Sequence, residues 1–361
     1  MKPKAHKEFL QHSFRLFRPT YTLGGPGIGK TQKVFQAAAE IDYEVLPPLY
    51  LASLDPVDIG GLNLPTMPDA NGIRKLERLL DDWLEPAFVA TKNTVLLLDE
   101  VSQGSQGMQN AAAPLFDQRR CGKHKLPDCV VVTATGNKRA HRAGAIPTLT
   151  QLISRAARIT LEVDPLAWLD QAIKDKIAPE ILSFIRTYPS LLDVSLRPQF
   201  KEDEGYEQIY QSGLSYENPR SWYEVSHYVK SKLPVHLEKE VYEGIVGESA
   251  IALLIPHLTL IRQEIDIVAI LQGASWKFPS KDKIGARFSF ALGVGACATS
   301  KTYYKVLEIA KELYDKKEHE YASVIIQTAV KAYREIVDTQ EWLYGLRQHP
   351  LGKAFIATRQ V

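Results

Sequence analysis

The sequence predicts an α/β fold built on a parallel sheet with a phosphate-binding loop, followed by an all-helical remainder. Three observations carry this. Apolar runs such as Val95–Leu98 and Val130–Ala134, the latter broken only by Thr133, alternate with helical patterns in the first part of the chain, as buried parallel strands do. A glycine-rich stretch, Gly24 to Thr31, closes one such run and opens a helical pattern. Beyond Asp164-Pro165 the strand signals stop and apolar residues recur at three-and-four spacing.

Taken in order, Thr20–Leu23 is the first strand, and a helix is expected over Thr31–Ile41. Val45–Leu51, interrupted by Pro47 and Pro48, leaves room for a further short strand. Val95–Leu98, Val130–Ala134 and Arg158–Val163 complete the sheet. The helical part is expected over 166–176, 179–187, 219–231 and 237–261. Further stripes run through Tyr303, Val306, Leu307, Ala310 and Leu313, then from Ala322 to Val337. The expected domains are 1–163, 164–262 and 263–361.

A chain of 361 residues exceeds one ordinary domain. With 45% hydrophobic and 24% charged residues it can bury a sizeable core. A net charge of +2 gives no global pull toward nucleic acid or membrane. Cys121, Cys129 and Cys297 form no CxxC pair and read as reduced thiols. Met1 to Arg18 lacks the apolar core of a signal peptide, and no stretch is apolar enough to span a bilayer. A cytoplasmic location is expected, host cytoplasm if the source is a virus.

Gly24-Gly25-Pro26-Gly27-Ile28-Gly29-Lys30-Thr31 fits GxxxxGK[ST] at every fixed position. Such glycines let several backbone N–H groups turn toward phosphate oxygens, and a helix start adds partial positive charge. Residues 25–31 (Gly25, Pro26, Gly27, Ile28, Gly29, Lys30 and Thr31) are therefore the nucleotide-binding candidates. Lys30 is expected on the β- and γ-phosphates, and the Thr31 hydroxyl on Mg²⁺.

Val95-Leu96-Leu97-Leu98-Asp99-Glu100 ends an apolar strand in two carboxylates. Uncompensated acids beside a buried strand are costly, and a bound Mg²⁺ offsets that cost. Asp99 is expected to partner the metal, and Glu100 to act as general base on water. Val130–Asn137 ends in an amide. If its strand neighbours the other two, Asn137 can touch the γ-phosphate or the attacking water; otherwise it is an Asn capping a turn.

These three motifs, in this order and spacing, resemble the AAA+ superfamily of ATPases. Leu54-Asp55-Pro56-Val57-Asp58-Ile59-Gly60-Gly61-Leu62, Asp99-Glu100-Val101-Ser102-Gln103 and Gly122-Lys123-His124-Lys125-Leu126-Pro127 resemble its MoxR-type branch and related phage and bacterial ATPases. The resemblance implies an ATP- and Mg²⁺-dependent enzyme whose core carries a helical lid and a further helical region. It implies a homo-oligomer, a hexameric ring. Within Gln151–Arg158, Arg155 matches the arginine finger that reaches a neighbouring subunit's nucleotide, with Arg158 in reserve. Asn218-Pro219-Arg220 resembles the second sensor, with Arg220 reaching the nucleotide from the lid. Two departures stand out: Ser102-Gln103 replaces the usual Asn-Arg, and Ser154-Arg155-Ala156 the usual Asp-Arg-Phe.

The same resemblance implies a protein partner, one with a von Willebrand factor A-like domain or a metal cofactor site. A nucleic-acid motor is the alternative. The basic stretch Arg119–Asp128 resembles a hairpin facing the ring channel, but no aromatic residue interleaves it or Lys138–Arg142. A low-turnover nucleotide switch is the third reading. Asp55 and Asp58 read as a carboxylate pair or as a polar loop, and His124 and His141 as surface or interface residues.

Overall fold

The computed structural model describes the chain except residues 80, 122–123, 139–154, 200–206, 208–211 and 360–361. It forms two compact units. One comprises Met1–Asp164 with Lys201–Gly213, the other Pro165–Phe200 with Leu214–Val361.

The first unit is built on a parallel sheet. Its strands are β1 (Thr20–Leu23), β2 (Glu44–Val45), β3 (Leu49–Tyr50), β6 (Thr94–Asp99), β9 (Val130–Gly136) and β10 (Ala157–Thr160). The spatial order is β10-β1-β9-β6-β2, with β3 also paired to β6. Pro47 and Pro48, which offer no N–H to a ladder, separate β2 from β3, so the stretch that left room for one short strand meets two.

The central strands are buried on both faces, and their side chains alternate between two layers. Val95 and Leu97, with Val131, face one layer, where helices α1 (Pro3–Arg15) and α2 (Lys30–Ala39) contribute Leu10, Phe14, Val34, Ala37 and Ala38. Leu96 and Leu98, with Val130, Val132 and Ala134, face the other. There helix α5 (Gln106–Asp117) contributes Met108, Ala112, Leu115 and Phe116. Each fully buried Leu or Phe of these layers stabilises by roughly 1.5–3 kcal/mol over exposure.

Two small hairpins leave the sheet. β4 (Leu62–Pro65) pairs antiparallel with β5 (Leu76–Leu79), and β7 (Arg120–Cys121) with β8 (His124–Lys125). Before β4, Asp55 caps the one-turn helix α3 (Pro56–Gly60), and Asp58 Oδ2 accepts the Asp55 N–H at 2.7 Å. Asp55 and Asp58 thus form a capping box, which explains the pair structurally. The last short helix here is α4 (Glu85–Phe88).

In the described residues of the second unit all regular structure is helical. Helices α6 (Pro165–Lys174), α7 (Pro179–Thr187) and α8 (Pro219–Lys230) fall close to the expected spans. The single helix expected over 237–261 is two, α9 (Val235–Val246) and α10 (Glu248–Glu264). Gly247 separates them at φ 80°, where a Cβ would meet the Ser215 carbonyl oxygen at 2.4 Å. The expected border between 262 and 263 falls inside α10. Beyond it follow α11 (Ile267–Leu271), α12 (Ile284–Ala296), α13 (Tyr303–Asp315), α14 (His319–Ala332) and α15 (Pro350–Arg359). The stripe expected to run to Val337 stops with α14, because Tyr333 turns extended at φ −141°, and a 3₁₀ turn carries Arg334–Asp338.

Phe184, Trp222, Tyr242, Leu254, Phe290 and Ile325 are fully buried in this unit. Two buried glutamates there are matched by arginines: Glu217 by the Arg197 fork, Glu238 by Arg262 at 2.6 and 2.8 Å. Among the described residues no helix is long and apolar enough to cross a membrane.

Candidate active site

The loop between β1 and α2 has the backbone that its glycines permit. Gly27 and Gly29 take φ 73° and 88°, left-handed values that other residues avoid, and α2 begins directly at Lys30. The loop sits at the carboxyl end of β1, and β9 lies between β1 and β6. The register Leu23↔Gly136 and Leu98↔Ala134 therefore brings Asp99 and Asn137 to the same sheet end as the loop. Parallel α/β sheets bind ligands at this end.

Lys30 is buried, and its ammonium donates to the Gly24 carbonyl at 3.2 Å, the Gly25 carbonyl at 2.7 Å and Asn137 Oδ1 at 2.8 Å. Thr31 Oγ1 donates to Asp99 Oδ2 at 2.7 Å. Asn137 is also anchored by its backbone, whose N–H donates to Ser102 Oγ at 2.8 Å. The Asn137 side chain faces the loop through this contact with Lys30. Glu100 follows Asp99 at φ 53°, a left-handed conformation that costs a non-glycine residue about 1–3 kcal/mol. Its N–H donates to Asp99 Oδ1 at 3.0 Å.

A hydroxyl and a carboxylate in direct contact are hard oxygen donors. They suit Mg²⁺, which takes few protein ligands and keeps its other positions for water and phosphate. Lys30 and the positively polarised start of α2 add charge for a phosphate chain. The residues present thus fit a magnesium–nucleotide. Among the described residues no group of three His, Cys, Asp or Glu side chains offers a competing metal site.

The arginines lie elsewhere. Arg158 pairs in register with Tyr21 on the edge strand β10, and Arg155 precedes that strand. Both are exposed, and Arg155 stands at the amino end of the sheet, opposite the loop. Neither joins the cluster of its own chain. Arg220 belongs to the second unit, in the first turn of α8 behind the Asn218 cap and Pro219, as Pro at the helix start predicts. Gly122, Lys123, Arg139, His141, Arg142 and 151–154 lie outside the described residues.

Two residues were given no role from sequence. Ser102 holds the Asn137 backbone, and Thr135 donates its hydroxyl to Asp99 Oδ1. For Thr135 the available signal was the strand period, which sets Thr133 and Thr135 on one face of β9, just ahead of Asn137.

No protein-family model matches the sequence, and no curated protein matches it. Solved structures are similar at low identity. The Holliday junction branch migration motor RuvB of Thermotoga maritima is 15% identical over 85% of this chain and 87% of its own, with a TM-score of 0.38. NtrX of Brucella abortus is 13% identical over 97% of this chain and 66% of its own, with a TM-score of 0.31. At such scores the likeness carries no functional argument. The chain's own topology defines its class, an α/β phosphate-loop core with a parallel sheet and a helical carboxyl-terminal region.

Proposed function

We propose that this chain is a magnesium-dependent ATPase of the AAA+ type, working as a homo-oligomeric ring that acts on a protein partner. One observation carries the ATPase reading. Lys30 and Thr31 from one loop converge on Asn137 and Asp99 from two strand ends that only the sheet order brings together.

Bound Mg²⁺ supplies charge neutralisation on the phosphate oxygens. The protein does the rest. Lys30 exchanges its carbonyl partners for phosphate oxygens, and Thr31 with Asp99 holds the metal side. Glu100 accepts the proton of the attacking water as it adds to the γ-phosphorus, and the ADP oxygen leaves on the far side. Asn137, released from Lys30, donates its amide to that water or to the γ-phosphate. Arg155, with Arg158 in reserve, stabilises transition-state charge in the neighbouring subunit. The position of Arg155, opposite its own loop, supports action in trans. Arg220 serves as the second sensor.

The protein partner, with a von Willebrand factor A-like domain or a metal site, rests on the MoxR-like residues. A nucleic-acid substrate is the second reading, favoured by Arg120 and Lys125, both exposed on the β7–β8 hairpin. ATPase stimulated by DNA with a steep salt dependence would support it over the protein partner.

The test is ATP hydrolysis per subunit against protein concentration, for wild type, Glu100→Gln and Arg155→Ala. Specific activity is expected to rise steeply with concentration. Each substitution is expected to lower it by about 10²-fold or more. Concentration-independent activity that survives Arg155→Ala would remove the ring reading and leave a monomeric ATPase.

A further inference from the structure

Asp99 is gripped by more than the hydroxyl of Thr31. Its two oxygens are treated differently. Oδ2 accepts Thr31 Oγ1 at 2.7 Å, on the loop side. Oδ1 accepts the Glu100 N–H at 3.0 Å and the Thr135 hydroxyl, both from the strand side. Thr135 is fully buried on β9, one residue beyond the Leu98↔Ala134 rung that joins β9 to β6. The same Thr135 oxygen also accepts the Glu100 N–H at 3.4 Å.

The terminal torsion of an aspartate is broad and two-fold, so the carboxylate has little rotational preference of its own. Two strand-side donors on one oxygen remove that freedom. They leave the other oxygen as the one presented to Thr31.

We infer that Thr135 is a positioning residue for metal binding: its buried hydroxyl holds Asp99 Oδ1, so that Oδ2 and Thr31 Oγ1 form the pair that receives the nucleotide's Mg²⁺. Thr135 meets Asp99 on the oxygen that does not face Thr31. The inference rests on the magnesium–nucleotide reading of the site. It differs from a purely structural role, in which the hydroxyl only satisfies a buried acid. A structural role predicts a less stable protein with unchanged metal preference. Positioning predicts a selective loss of metal affinity, since removing an outer partner of a metal ligand typically weakens binding roughly 10–100-fold.

The experiment uses the full chain as wild type, Thr135→Val and Thr135→Ser. A fluorescent ADP analogue is titrated with and without Mn²⁺, and bound Mn²⁺ is counted by its paramagnetic resonance signal. In Thr135→Val the Mn²⁺ affinity of the nucleotide complex is expected to fall at least about 10-fold. Metal-free nucleotide affinity is expected to stay at the wild-type value. Thr135→Ser, which keeps the hydroxyl, is expected to recover most of the loss. Thr135→Ala carries the same comparison should the valine variant not fold. Wild-type Mn²⁺ affinity in a folded Thr135→Val or Thr135→Ala protein would overturn the inference. So would an equal weakening with and without metal. If the wild type itself binds no nucleotide, the underlying ATPase reading fails, and the inference with it; that outcome is recognised in the wild-type titration alone.

Discussion

Among the described residues, His6 and His257 are the two histidines whose surroundings disfavour charge. His6 is fully buried, with Nε2 bonded to Thr22 Oγ1 at 2.8 Å and no partner for Nδ1 among the described residues. Burial, reinforced by the amino terminus and Lys33, pushes its pKa down to about 4. His257 is buried against Phe184 and bonded to Ser183 Oγ at 2.9 Å; burial pushes it down to about 4 as well. Both are neutral in the folded protein. The unfolded chain takes up these protons below pH 6.5, but the folded chain does so only near pH 4. Their contribution is therefore present above pH 6.5 and lost as pH falls toward 4, by roughly 3 kcal/mol each at the acid end. Urea midpoints measured from pH 7 to 4 are expected to fall, and to fall less steeply in His257→Gln.

The helix break at Gly247 belongs to the scale of elements. A three-and-four pattern runs from 237 to 261 with two internal glycines, Gly244 and Gly247, and a helix tolerates such glycines at a cost of about 1 kcal/mol each. What breaks it is the approach of the Ser215–Tyr216 backbone, which only glycine at φ 80° admits. Gly247→Ala would combine a left-handed conformation with a backbone clash. It is expected to destabilise by at least about 1–2 kcal/mol. A lowered denaturant midpoint with an unchanged slope would register it, whereas an unchanged midpoint would mean that α9 and α10 can join. The β4–β5 hairpin is a similar case. Leu62-Asn63-Leu64 alternates as a strand should, yet it is short and its Leu62 and Leu64 remain exposed, so pattern and burial disagree.

At the scale of the molecule, ligand and fold are linked by mass action. A nucleotide that binds only the folded loop stabilises it by about 2.7 kcal/mol at a hundredfold excess over Kd. Magnesium–ADP is therefore expected to raise the Tm of the wild type by a few degrees. In Lys30→Ala it is expected to leave Tm unmoved, because no other described cation takes the place of Lys30 among the Gly24, Gly25 and Asn137 oxygens. A Tm rise of wild-type size in Lys30→Ala would contradict the assignment of the loop.

The amino-acid sequence by itself determined the local chemistry: the glycine loop ahead of Lys30 and Thr31, the acidic end of β6, the amide after β9, and the Asn218-Pro219 helix start. Each depends on neighbouring residues in the backbone, so a short window holds all the information. The tertiary structure alone decided which strand ends meet. Lys30 reaches Asn137 across 107 residues, Thr135 reaches Asp99 across 36, and Ser102 reaches Asn137 across 35. Those contacts exist because β9 pairs between β1 and β6. That order is set by long-range packing of α1, α2 and α5 on the two sheet faces, where many interchangeable apolar side chains share the energy and no single residue signals the choice.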